Sequence, residues 1–314
     1  MNAITPQMSV KLFAGSSSHY LAEKIAHAYG EPLGRLNVKR FSDGEISVAF
    51  EESIRGHHVF LIQSTFPPAD NLMELLLMID AARRASAGYI TVVMPYFGYA
   101  RQDRKDRPRV AIASKLVANL LSASGANRVI TCDLHAGQIQ GFFDIPVDHL
   151  YGSAVFLPYL QSLQMENVIF AAPDVGGVAR ARAFAEHMQC EMVVCDKHRK
   201  RANEIASMQI IGEVEGMDVI LVDDMVDTAG TMTNAARLIK ERGATSVRAV
   251  ATHPVLSGPA HERLANSVLE ELVVLDTIPL SQENSKIKVL SIADVFAKAI
   301  RKIHSYESVS SLFV

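Results

Sequence analysis

The chain has 314 residues, of which 49% are hydrophobic and 21% charged, as in a globular protein with a full hydrophobic core. Its formal net charge of −3 gives no reason to expect a nucleic acid or an anionic membrane as a partner. Its 3 cysteines form no disulfide framework, and neither a signal peptide nor an apolar run of about 18 residues is visible, so a cytoplasmic location is expected.

In chain order, apolar β-branched runs alternate with helical patterns. Strands are predicted at 10–13, 59–63, 90–95, 128–132, 168–171, 192–195, 219–222 and 247–251. One predicted helix, with Asp70 as its expected N-cap, has apolar residues at i, i+3, i+4 and i+7: Leu72, Leu75, Leu76 and Ile79. A second helix, expected from about Met232, has the same spacing. The alternation predicts an α/β fold with parallel sheets covered on both faces.

A weak internal repeat points to two domains. Gly125 and Gly243 each follow a predicted helix, open a strand and precede a histidine, His135 or His253, by the same interval. Chance spacing is the alternative interpretation. The repeat predicts two similar doubly wound halves, 1–150 and 151–314, with a boundary near Tyr151 and with the final helix and tail free to pack back on the first half.

An acidic loop follows the predicted strand 219–222. Two carboxylates and a third acid precede a small-residue turn that opens a helix, and its residues are Asp223, Asp224, Asp227, Thr228, Ala229, Gly230 and Thr231. Helix N-termini bind phosphate, and carboxylates accept hydrogen bonds from sugar hydroxyls. The alternative is an acidic turn that only caps a helix. We expect a phosphorylated pentose here, although the loop alone does not name the reaction.

Three more polar clusters stand at predicted strand ends, where ligands bind in sheets of this kind. They are 133–135, 101–106 and 173–177. The chain has no G-x-x-x-x-G-K-[ST] loop, so a nucleotide would be held in another way.

At this point the motifs resemble a known family. Residues 40–45, 99–103, 133–148 and the tail 307–313 occur in the order found in class I ribose-phosphate diphosphokinases, also called phosphoribosyl-diphosphate synthetases. The acidic loop is similar to that of type I phosphoribosyltransferases. The resemblance implies an enzyme with two doubly wound parallel-sheet domains of that kind. It implies transfer of the diphosphoryl group of ATP to the C1 hydroxyl of ribose 5-phosphate, giving 5-phosphoribosyl 1-diphosphate and AMP for nucleotide biosynthesis.

The resemblance also implies roles for individual residues. The ATP contacts are Phe41, Asp43, Gly44 and Glu45, supplied by a neighbouring subunit, together with Arg101, Gln102, Asp106 and His135. The Mg²⁺-linked positions are His135 and Asp174, and the catalytic cations are Lys197 and Arg199, of which Arg199 also contacts the sugar phosphate. On their own, a lone histidine is more often a core residue and a basic run such as 197–201 is more often a solvated face.

Regulation and assembly are implied in the same way. Class I members form hexamers that phosphate activates and ADP inhibits, and the matching regulatory residues are Ser53, Arg55, Ser86, Arg109, Ser308 and Ser310. A frayed C-terminus is the alternative for the tail. Nucleic acid and membrane are not expected as partners.

Two other functions compete with the diphosphokinase. A phosphoribosyltransferase would share the acidic loop but would need neither the His135 motif nor Arg101 and Gln102. A non-catalytic relative that regulates a true synthetase, or a sensor of phosphoribosyl diphosphate, would not need to retain His135, Asp174 and Lys197. Their retention favours the enzyme.

Overall fold

A computed structural model describes residues 8–198 and 207–312, with the backbone alone at 197, 198 and 207. The chain divides into two compact units. The first runs to Tyr151 and resumes at Ala293, and the second spans Gly152–Ile292. Within the expected second range of 151–314, the residues from Ala293 onward group with the first unit, which is the packing back that the sequence analysis allowed for the final helix and tail.

The first unit is built around a parallel sheet. Up to Tyr151 its helices and strands are β1 (Val10–Ala14), α1 (His19–Tyr29), β2 (Leu36–Arg40), β3 (Ile46–Phe50), β4 (His58–Ile62), α2 (Asp70–Arg84), β5 (Tyr89–Met94), α3 (Ala113–Ser124), β6 (Arg128–Cys132) and β7 (Val147–Leu150). In the described ranges the sheet has five strands in the order β1-β4-β5-β6-β7, all parallel, while β2 and β3 form a separate antiparallel hairpin.

Burial on both faces explains why the central strands of the first unit are almost wholly apolar. Every residue of β4 is buried. On one face Val59 and Leu61 belong to the same core as Leu75 and Ile79 of α2. These last two residues are on the helical stripe that the sequence predicts.

The second unit contains α4 (Ser153–Ser162), β8 (Val168–Ala172), α5 (Val178–Met188), β9 (Met192–His198), β10 (Ser207–Ile211), β11 (Asp218–Val226), α6 (Gly230–Glu241), β12 (Ser246–Pro254), α7 (Ala260–Ala265), β13 (Glu271–Leu275) and β14 (Ile287–Leu290). The chain then returns to the first unit as α8 (Ala293–His304). There Arg301 donates a hydrogen bond to the carbonyl oxygen of Tyr29 at 2.8 Å, which fixes α8 against the end of α1.

The strand order of the second sheet reverses between β8 and β11. Its seven described strands run β10-β9-β8-β11-β12-β13-β14, with β10 alone antiparallel to its neighbour. From β8 the chain moves outward through β9 and β10, and it then returns to the other side of β8 as β11. Such a reversal separates the loops at the strand ends and creates the crevice where α/β proteins bind ligands. In the first unit the described strands follow one another without a reversal.

The predicted α/β architecture with parallel sheets is confirmed, with corrections at the element ends. Asp70 is the first residue of α2 rather than its N-cap, and its carboxylate pairs with Arg40 at 2.7 Å. The strand predicted at 219–222 continues to Val226, so Asp223 and Asp224 lie inside it. The helix expected from about Met232 begins at Gly230. Within the described ranges no helix is both long and apolar enough to cross a membrane.

Candidate active site

The turn from β11 into α6 has the backbone expected of a phosphate cradle. Ala229 adopts a left-handed conformation with φ of 59°, and α6 starts at the next residue. The first N–H groups of a helix lack partners within it and lie at the positive end of its dipole. A Cβ on Gly230 would lie 3.1 Å from Nη1 of Arg263, so glycine leaves room for a guanidinium beside the turn. The turn can therefore receive an anion.

Two adjacent carboxylates lie just before this turn and share one cation. Asp224 is buried, with 5% of its side-chain surface exposed, and Asp223 has 24% exposed. The backbone N–H of Asp224 donates to Oδ1 of Asp223 at 2.8 Å. From the first turn of α5, Arg180 places Nη1 3.2 Å from Oδ1 of Asp224 and 3.8 Å from Oδ1 of Asp223.

Burial raises the pKa of Asp223 well above its usual value, and the neighbouring Asp224 carboxylate raises it further, while Arg180 lowers it in part. Neighbouring carboxyls, one of them with a raised pKa, are a common arrangement in active sites. The pair is well suited to accept hydrogen bonds from vicinal hydroxyls or to receive a further cation.

Contacts from the segment after β12 fix the remaining loop residues. Ser257 donates through its hydroxyl to a carboxylate oxygen of Asp227 and through its N–H to the Asp227 carbonyl at 3.0 Å. Arg263 of α7 donates to the carbonyl oxygen of Thr228 at 3.0 Å. The sequence motifs included none of Arg180, Ser257 and Arg263. For Arg180, the one feature of the local sequence that could have indicated a role is its position, as a charged residue in the first helical turn after the cluster 173–177.

Asp174 occupies the second turn at the reversal point. It follows β8, which pairs with β11 along Val168–Ala171 and Asp218–Leu221. Its side chain accepts a hydrogen bond from the N–H of Gly176 at 2.9 Å, before α5 begins at Val178. Because β8 and β11 are parallel neighbours, Asp174 and the Asp223–Asp224 pair lie at the same edge of the sheet.

In the first unit, the loop after β5 exposes Arg101 and Gln102. Gly98 allows this loop to pass very close to Thr65, because a Cβ at position 98 would clash with the Thr65 carbonyl. Thr65 also accepts the Gly98 N–H through its hydroxyl at 2.8 Å. The start of α3 holds Gln102 in place, because the Gln102 carbonyl accepts a hydrogen bond from the Ser114 hydroxyl at 2.9 Å.

The structure connects this loop with the His135 motif. Gln138 donates to the carboxylate of Asp103 at 3.2 Å. His135 follows β6 and is exposed, so the core alternative is wrong. The N–H of Leu134 donates to Nε2 of His149 at 3.0 Å, which orients the segment just before His135. Asp106 lies exposed further along the same loop.

The hairpin β2–β3 carries Phe41, Asp43, Gly44 and Glu45 at its turn. Asp43 accepts the N–H of Glu45 at 3.1 Å, and the Phe41 N–H donates to the Glu45 carbonyl at 2.8 Å. The Phe41 side chain is left 60% exposed. A large aromatic residue at the tip of a hairpin is available to another molecule.

The expected regulatory residues form two groups in the structure, and Arg109 lies apart from both in sequence. Arg55 donates to the Ser86 hydroxyl at 3.1 Å, and exposed Ser53 lies two residues before Arg55. The N–H of Ser310 donates to the Ser308 hydroxyl at 3.3 Å in the last described turn. Arg109 has φ of 64° and lies in the loop before α3.

The structure describes the expected Mg²⁺ ligands but not the side chains of the expected catalytic cations. The described residues contain no group of three or more His, Cys, Asp or Glu side chains placed to hold a metal ion. Asp174, Asp223 and Asp224 offer oxygen atoms, which Mg²⁺ prefers, and Mg²⁺ commonly takes its other ligands from water and phosphate. Lys197 lies in β9 by its backbone, but its side chain and all of Arg199 are outside the described residues.

Two family models match parts of the chain. Residues 10–125 match the family described as the N-terminal domain of ribose phosphate pyrophosphokinase. Residues 198–314 match the phosphoribosyl synthetase-associated domain.

Individual relatives match over nearly their whole length. The chain is 59% identical to the ribose-phosphate pyrophosphokinase of Porphyromonas gingivalis, over 96% of this chain and 97% of that protein. It is 57% identical to that of Campylobacter jejuni, over 97% and 99%. The crystal structure of phosphoribosylpyrophosphate synthetase from Mycobacterium smegmatis superposes with a TM-score of 0.90 at 39% identity, over 95% of this chain and 99% of the other. The chain therefore belongs to the ribose-phosphate pyrophosphokinase family of enzymes, as its motifs predict.

Proposed function

We propose that this enzyme transfers the diphosphoryl group of ATP to the C1 hydroxyl of ribose 5-phosphate, giving 5-phosphoribosyl 1-diphosphate and AMP for nucleotide biosynthesis. The observation that carries the proposal is the combination, at one strand end, of a phosphate-type helix N-terminus with an acid pair of which one member is buried and the other partly buried. A phosphate binds at the turn 228–231, and the acids before it accept the sugar hydroxyls. This combination matches a sugar phosphate.

The first unit is proposed to bind ATP. Arg101 and Gln102 are exposed beside the His135 motif, to which Asp103 and Gln138 connect them. Asp106 is the weaker contact on the same loop. Phe41, Asp43, Gly44 and Glu45 would act on the ATP of a neighbouring subunit, consistent with the exposed ring at the hairpin tip.

In the proposed reaction the C1 oxygen forms a bond to the β-phosphorus of ATP. The bond from that phosphorus to the oxygen it shares with the α-phosphorus breaks, AMP leaves with that oxygen, and the hydroxyl proton passes to solvent. Such transfers depend on positioning and on neutralisation of charge. Lys197 and Arg199 are proposed to supply that charge, with Arg199 also on the sugar phosphate.

Mg²⁺ is the proposed cofactor, and it would neutralise the phosphate oxygens of ATP. Asp174 would hold it through oxygen, with Asp223 and Asp224 as further oxygen donors in the same unit. His135 is proposed at a magnesium-linked position, where its imidazole can also contact the triphosphate.

A hexamer regulated by phosphate and ADP is proposed as the working form, in the cytoplasm. The exposed guanidinium of Arg55, which donates to the Ser86 hydroxyl, supports an anion site at that position. Ser308 and Ser310 are exposed and are proposed as further regulatory residues. Loss of phosphate activation in an Arg55→Ala variant that keeps its oligomeric state would be the expected result.

The proposal is tested by the adenine nucleotide that the purified protein releases. With ATP, ribose 5-phosphate, Mg²⁺ and phosphate, we expect AMP in amounts equal to the new phosphoribosyl diphosphate. Formation of ADP instead, or no nucleotide product, would refute it. Lys197→Ala should abolish turnover and leave the fold intact, whereas Lys298→Ala, an exposed lysine on α8, is the matched control.

A further inference from the structure

The turn that receives the phosphate contains a conformation that its own sequence does not favour. Ala229 has φ of 59°, a left-handed value that costs free energy for any residue with a Cβ. Strained backbone of this kind persists where surrounding contacts over-determine it, and it is concentrated at ligand sites. Something next to the turn must therefore hold it.

Arg263 contacts the turn 228–231 from outside. It lies on α7, exposed to solvent, and its Nη1 donates to the Thr228 carbonyl at 3.0 Å. The same nitrogen would be 3.1 Å from a Cβ at position 230. One guanidinium nitrogen therefore contacts the Thr228 carbonyl on one side of Ala229 and lies close to the Gly230 position on the other.

The planarity of the peptide group makes this contact directional. In a trans peptide the carbonyl and the following N–H point in opposite directions. Because Arg263 holds the Thr228 carbonyl, the N–H of Ala229 is directed to the opposite side of the turn. A fixed N–H beside the first turn of α6 adds one donor to an anion cradle.

We propose that Arg263 is a positioning residue for the sugar phosphate. It fixes the Thr228–Ala229 peptide in the orientation that binds phosphate, and its charge lies beside the turn. This inference rests on the proposed function, and it names a residue outside the acidic loop on which recognition of the 5-phosphate depends.

The test measures binding of each substrate alone by calorimetry, in the presence of Mg²⁺. Arg263→Met keeps the length of the side chain and removes its donors. We expect its dissociation constant for ribose 5-phosphate to rise roughly ten-fold, the low end for loss of a charge-assisted hydrogen bond. ATP binding should not change. Arg263→Lys, which keeps a charged donor, should lose less. Arg237→Met is the matched control, since Arg237 pairs with Glu241 on the outside of α6.

A second variant makes the test specific to the contact. Gly230→Ala should weaken ribose 5-phosphate binding in the otherwise wild-type protein, because the new Cβ displaces the Arg263 guanidinium. In the Arg263→Met background the same substitution should cause a smaller further loss of binding.

Three results would count against these ideas. Unchanged ribose 5-phosphate binding in Arg263→Met would overturn the positioning role and leave the proposed function standing. Equal losses for both substrates would overturn it as well, because they indicate general disturbance. A wild-type protein that binds no ribose 5-phosphate would overturn the proposed function together with this inference.

Discussion

Arg180 is the counter-charge for two acids that are otherwise crowded at the end of β11. Replacing Arg180 with methionine keeps most of the apolar stem and removes the guanidinium. Asp224 would then be a buried carboxylate without this partner, and Asp223 would lose the guanidinium whose charge lowers its pKa.

The magnitude follows from burial and distance. Breaking a buried ion pair by removing one partner costs about 3–5 kcal/mol. Arg180 keeps 20% of its side chain exposed and is 3.8 Å from the Asp223 carboxylate, which is a weak contact. We therefore expect the lower end, about 3 kcal/mol of unfolding free energy.

Hydrogen exchange is the suitable assay, because it reports the opening of each unit separately. Protection should fall in peptides from β11 and α5 and should be retained in the first unit. Arg182→Met, at an exposed position of the same helix, is the matched control and should change little.

The pH dependence has a definite sign. Loss of Arg180 raises the folded-state pKa of Asp223 further, and a raised pKa costs stability as pH rises through it. The defect should grow with pH and be smaller in acid, where the carboxyls are protonated. Adding Asp224→Asn should recover part of the loss. A defect that is equal at all pH values, or purely additive with Asp224→Asn, would refute the charge argument.

Three further predictions concern the first unit. Gly98→Ala should cost about 1–3 kcal/mol by overpacking against Thr65 and raise KM for ATP, as a thermal melt and steady-state kinetics would show. Burial lowers the pKa of His58 from 6.5 to about 4, so the unfolding free energy should fall by about 3 kcal/mol as the pH drops through that window. His58→Leu should make the unfolding free energy, measured by urea denaturation, less dependent on pH in the same window. Phe41→Ala should raise KM for ATP with an unchanged melt, because its ring is 60% exposed; an unchanged KM would count against the neighbouring-subunit role.

The sequence predicts the fold best where burial imposes a regular spacing of apolar residues along a helix or strand. The strand predicted at 128–132 matches β6, and the stripe through Leu75 and Ile79 lies in the core. The short strands β7 and β14 were missed, because partly exposed strands mix polar and apolar residues without a clear alternation. The hairpin β2–β3, whose segment 36–39 does alternate, and the strands β10 and β13 were missed as well.

Local motifs locate the acidic loop and the His135 segment, since these residues are adjacent in the chain. Arg180 and Arg263 could not be found in that way. Their contacts with Asp224 and Thr228 span separations in sequence that only the folded second unit closes. Asp70 resembled a cap by type and position, yet its carboxylate pairs with Arg40, a residue distant in sequence that the hairpin brings close.

The most direct test of the account follows the C1 oxygen itself. Ribose 5-phosphate labelled with ¹⁸O at C1 should give phosphoribosyl diphosphate with the label in the bridge between C1 and phosphorus, and the AMP released should be unlabelled. This is the result of attack by the C1 hydroxyl on the β-phosphorus of ATP. Less label in the product than in the ribose 5-phosphate left in the same sample, or the appearance of label in AMP, would contradict the mechanism.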